Sequence, residues 1–85
     1  MTIAELYLQL KEIGLDDNDI YLHGLHGSTD DNEKLSLTIL KGKYSAIWKV
    51  YFKERGEQHS VREFNNETDA CEYYLRKMKE NQKYV

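Results

Sequence analysis

The residues most able to do chemistry in this 85-residue chain lie in three places. His23 and His26 flank Gly24-Leu25, with Asp30 and Asp31 close behind. Imidazole and carboxylate are transition-metal ligands, and two residues between histidines is a permissible ligand spacing. A closed zinc site needs two further fixed ligands, which this stretch does not mark, so the expectation is a polar loop with two ordinary histidines and no metal. Asp16-Asp17-Asn18-Asp19 lacks the later glycine and the twelfth-position glutamate of a calcium loop. The single cysteine, Cys71, cannot form an internal disulfide, and on an apolar helix stripe it reads as a small buried hydrophobe. A nucleophilic role would need a depressed thiol pKa and an orienting base, for which His59 is the candidate. No serine sits in a nucleophile elbow and no glycine-rich phosphate loop precedes a helix. Without a convergent acid, base and nucleophile, neither an enzyme nor a cofactor is expected.

Two further groupings suit binding. Lys43, Lys49, Tyr51 and Lys53 alternate along one stretch, with Arg62 a candidate to join from a neighbouring strand. Cations interleaved with an aromatic grip a phosphate backbone and stack a base, which gives a nucleic-acid reading. Lysines also protect exposed sheet faces from aggregation, which is the plainer reading. Glu54 and Arg55 form either a charged hairpin corner or an arginine presented to a partner.

The elements that position these groups follow from period and capping. Thr2 and Glu5 have capping-box spacing, with Met1 and Leu6 at the staple positions. Ile3, Leu6, Tyr7, Leu10 and Ile13 share one helical stripe, and Gly14 predicts a left-handed end that folds Leu15 back on Leu10. A loop spans residues 16–19, a short strand 20–23, and a polar loop 24–33. Leu35, Leu37 and Ile39 alternate as a half-buried strand. From Lys43 a long strand carries Tyr44, Ala46, Trp48, Val50 and Phe52 on one side and Ser45, Ile47, Lys49, Tyr51 and Lys53 on the other. Arg55-Gly56-Glu57 turns into a strand over 58–64. Asn65 or Asn66 caps a second helix whose stripe is Cys71, Tyr74, Leu75 and Met78. The expected fold is one α+β domain over 1–85: a three- to four-stranded antiparallel meander in the order α-β-β-β-β-α, both helices on one face, the other face meeting solvent or a partner.

Hydrophobic content of 40% and charged content of 32% suit a globular chain, and no apolar run approaches the roughly 20 residues of a membrane helix. The start, Met1 to Glu5, lacks the pattern of a signal peptide, so the expectation is a cytoplasmic monomer or weak homodimer with no membrane contact. The net charge of −3 is unevenly placed: residues 1–33 carry eight acids and one base, whereas 34–85 carry eleven bases and seven acids. Such asymmetry either marks a charged partner or is interleaved away on folding.

Trp48 to Gly56 (Trp-Lys-Val-Tyr-Phe-Lys-Glu-Arg-Gly), then Phe64, Glu67, Asp69-Ala70-Cys71, Tyr74 and Leu75, resembles the small bacterial immunity proteins of polymorphic toxin systems. The resemblance covers roughly residues 44 to 75 and leaves out the first helix and the histidine loop. It implies a cytoplasmic inhibitor that binds a cognate toxin stoichiometrically, and implies no catalytic residues. Many nuclease toxins are basic, and Asp16, Asp17, Asp19, Asp30, Asp31 and Glu33 could meet such a surface, with Tyr21, Tyr51 and Arg55 as further contact candidates.

Overall fold

The computed structural model describes residues 1–82, with side-chain exposure described through Glu80. Helix α1 spans Ile3–Glu12, and both arms of its capping box form at 3.2 Å, Thr2 Oγ1 accepting from Glu5 N–H and Glu5 Oε1 from Thr2 N–H. The Glu67 carboxylate also accepts from Ile3 N–H at 3.1 Å, so the second helix helps to cap the first. At the other end Gly14 takes φ +95°, Gly14 N–H reaches Lys11 O and Leu15 N–H reaches Leu10 O. These are the two hydrogen bonds of the expected Schellman ending.

A single 3-10 turn at Asp17–Asp19 leads into β1 (Tyr21–Leu22). His23 and Gly24, both at positive φ, reverse the chain into β2 (His26–Gly27), and Leu25 N–H closes the turn on Leu22 O. Strands β3 (Leu35–Lys41), β4 (Ala46–Glu54) and β5 (Glu57–Phe64) follow, then α2 (Glu67–Gln82). Asn66 caps α2, its Oδ1 accepting from Asp69 N–H at 2.8 Å.

The α+β class with a helix at each end is as expected, but the sheet is mixed and has five strands in the order β2-β1-β3-β4-β5. β1 runs parallel to β3, and every other pair is antiparallel. The extra strand arises where a loop was expected: the His-Gly pair supplies the two positive φ values that a tight primed hairpin turn requires.

Tyr21–Ser36–Tyr51 and Leu22–Leu37–Val50 form two adjacent rows across the sheet. The second row is fully buried beneath Ile3, Leu6 and Leu10 of α1 and Ala70, Cys71, Tyr74, Leu75 and Met78 of α2. Both helices therefore cover the Val50 face, with Trp48 packed against the same core. Tyr74 ties the layers together: its hydroxyl donates to Leu35 O at 2.7 Å and accepts from Tyr21 N–H at 3.4 Å. It thus satisfies one backbone group on each strand where the parallel pair opens.

Candidate functional site

Strand directions gather the acidic segments at one end of the sheet. β1 and β3 are parallel, so both begin there, and β2 ends there, with Ser28 N–H donating to Ile20 O at 2.7 Å. Lys53 N–H donates to Lys34 O, which brings the close of β4 and the Arg55–Gly56 turn to the same end. Asp16, Asp17, Asp19, Asp30, Asp31 and Glu33 therefore ring one end of the domain, joined by Glu54 and Glu57. Lys34, Lys53 and Arg55 of the basic segment come to the same end, so folding interleaves part of the segmental charge there and leaves the remaining carboxylates exposed.

Several of these carboxylates are already engaged. Asp17 accepts from the Tyr7 hydroxyl at 2.9 Å and pairs with Lys11 at 3.1 Å; the Tyr7 bond first, then Lys11, lowers its pKa. Asp30 is lowered first by Asn32 N–H and then by Lys34, whose ammonium also reaches Ser28 Oγ and Asp30 O. Asp31 accepts from the Tyr51 hydroxyl at 2.6 Å and from Lys53 Nζ at 3.1 Å, and the tyrosine bond is the main cause of its lowered pKa. Burial, then Asp31, raises the Tyr51 hydroxyl far above its ordinary value. Asp19, Glu33 and Glu54 have no ion-pair partner among the described residues and are exposed.

The Tyr51 finding corrects the expected outer face. Tyr51, placed by parity on the open side, is only 3% exposed, and Ser36 beside it is fully buried. The parity holds, but the 28–34 loop folds over this half of the second face and Asp31 fastens it there. Tyr21 is half-buried in the same row. Arg55 is exposed at a hairpin turn, with φ +53° ahead of Gly56 at +81°.

The basic grouping is split. Lys53 is held by Asp31, Lys49 stands over the Tyr51 ring at 5.4 Å and lies opposite Glu63 in the strand register, and Lys43 lies in the β3–β4 turn. Arg62 does not join them. It opposes Val50, on the helix side, because a bulge between Val50 and Phe52 inserts an extra residue in β5, with Ser60 at φ +54°. There it lines a groove of about 520 Å³ with Leu35, Phe52, Val61, Tyr73 and Lys77. Tyr44, expected beside Trp48, sits in the turn and is 90% exposed.

The histidines serve the backbone and the core edge. His23 Nδ1 accepts from Ile39 N–H at 3.0 Å and lies 2.9 Å from Thr38 Oγ1, which requires the proton on Nε2. His26 stacks on Tyr7 with centroids 5.0 Å apart. Cys71 is fully buried, and desolvation pushes its thiol up to about 11, the opposite of nucleophile activation.

No family model matches the chain, and searches of curated proteins and of solved structures likewise give no match. No helix among the described residues is long and apolar enough to cross a membrane.

Proposed function

We propose that this protein is a non-enzymatic inhibitor that binds a cognate bacterial toxin one to one, in the manner of an immunity protein. The observation that carries it is the acidic end of the sheet, where Asp16, Asp19, Glu33 and Glu54 stay exposed around the loops pinned by Asp30 and Asp31. An exposed array of carboxylates suits a basic protein surface, since complementary charge steers encounter and rejects wrong partners. The resemblance of residues 44 to 75 to immunity proteins supports the same reading. The nucleic-acid alternative has less support: Tyr51 lies under the loop, and Lys53 is neutralised by Asp31.

The proposal requires a toxin domain encoded beside this gene, and that domain is the test. Co-expression restores growth, and titration calorimetry gives a 1:1 complex that weakens as salt rises. Failure of both, with a folded and active toxin domain, overturns the proposal.

A further inference from the structure

The β3–β4 hairpin reaches beyond the strands that flank it. Pairing of β1 with β3 ends at Leu22–Leu37, followed by one bond from His23 N–H to Leu37 O. Pairing of β5 with β4 ends at Trp48–Phe64. From Leu40 to Ile47 the chain is therefore a two-stranded arm, closed by Gly42 N–H to Ser45 O at 2.7 Å. A ribbon of this kind has little stability of its own and few neighbours to cover it. Yet it carries apolar groups: Tyr44 at the tip is 90% exposed, and Leu40, paired across from Ile47, is 46% exposed. Lys41 and Lys43 stand beside them, exposed and without an ion pair among the described residues. The sequence from Lys34 to Lys53 contains five lysines and no acid, so no carboxylate of the hairpin itself offsets them.

We propose that this arm is the anchor of the toxin complex, with the Tyr44 ring seated in an apolar socket of the partner and Lys41 and Lys43 meeting carboxylates on the socket's rim. The inference rests on the toxin-binding reading and adds a second contact to it. Tyr44 is the most exposed large apolar side chain among the described residues, and tyrosine is enriched among the few residues that dominate binding energy. The nine residues of β4 separate arm and acidic end by roughly 30 Å at the usual rise per residue. A partner domain of ordinary size, with a radius of gyration near 13 Å, is broad enough to touch both. The two ends then have separable duties. Exposed carboxylates govern association, whereas a desolvated aromatic anchor governs dissociation.

Binding kinetics with the neighbouring toxin domain test this, since Tyr44 is exposed and its replacement leaves the core intact. Tyr44→Ala raises the dissociation rate by about tenfold or more with the association rate nearly unchanged, whereas Lys41→Glu/Lys43→Glu, which sets like charge against the rim carboxylates, raises the dissociation rate and lowers the association rate as well. Asp19→Asn/Glu33→Gln/Glu54→Gln instead lowers the association rate and flattens its salt dependence. If wild type binds and the arm variants dissociate at the wild-type rate, the arm proposal falls and the toxin reading stands. If wild type does not bind the toxin domain, both fall. Retention of wild type on a 30-base oligonucleotide or on phosphatidylglycerol vesicles, lost in Tyr44→Ala, would reassign the arm and overturn the proposal.

Discussion

Asp31 offers the sharpest test of how the acidic loop is held. Its carboxylate accepts a 2.6 Å bond from buried Tyr51 and pairs with Lys53 at 3.1 Å, both charged side chains being about a quarter exposed. Asp31→Asn keeps the shape and one acceptor but removes the charge. A hydrogen bond to a charged group contributes about 1.5–3 kcal/mol and a neutral one about 0.5–1.5, so the exchange costs about 1–1.5 kcal/mol. Loss of the partly exposed ion pair adds up to about 1 kcal/mol. Together these give about 2 kcal/mol, or a fall in Tm of about 8–16 °C for a domain of this size. Because the folded carboxyl is held below its ordinary value, its contribution is complete above the unfolded pKa and is lost as pH falls through the folded one. Urea unfolding followed by Trp48, the single tryptophan, reads this directly at pH 7 and pH 3. The gap between wild type and variant is full at pH 7 and shrinks at pH 3. An equal gap at both pH values, or no gap at pH 7, would refute the charge-based account. A double cycle with Tyr51→Phe should show coupling, as neighbours sharing a bond do.

Tyr74→Phe leaves Leu35 C=O and Tyr21 N–H without their shared hydroxyl in the core and costs about 1–3 kcal/mol, read as a lower urea midpoint with an unchanged slope. Gly27→Ala costs about 2 kcal/mol, because φ is +76° and an added Cβ would lie 2.5 Å from Ile20 O; thermal melting checks it. His23→Ala loses the acceptor for Ile39 N–H and melts lower, whereas His23→Asn, which tolerates the +53° φ and offers a carbonyl, recovers part of the loss.

What was legible in the sequence is what forms within a few residues. The Thr2–Glu5 box, the Gly14 ending, the Asn66 cap and the Arg55–Gly56 turn each form within about six residues of chain, and side-chain type alone marks them. The buried stripe of α2 and the Trp48–Val50 face also read correctly, because their periods extend over many positions. β2 has two residues and cannot display a period. The parallel pairing of β1 with β3 has no local signature at all. Arg62 was misplaced because one serine in a left-handed conformation shifts the parity of the strand, and serine gives no warning of that. Tyr51 was misplaced for a different cause: its face is right, but its cover comes from Asp31, twenty residues earlier in the chain. The arm was hidden for the same kind of cause, since a hairpin projects only where its neighbours stop.

The Asp31 clip also bears on how the acidic end can work. Asp31 itself faces inward to Tyr51 and Lys53, so it is a poor candidate for direct contact with a basic partner. Its effect on binding runs instead through position. While the clip holds, Asp30 and Glu33 are fixed at the edge of the sheet, and a partner meets charges whose ordering entropy was lost when the chain folded. Weakening the clip lets the loop leave that position more often, so part of the ordering falls to the encounter even though only one charge has been removed. In the proposed toxin complex, Asp31→Asn should therefore weaken binding more than Glu33→Gln, which removes an outward charge and leaves the loop in place. The reverse order would mean that charge count, rather than the geometry set by Tyr51, controls the acidic end.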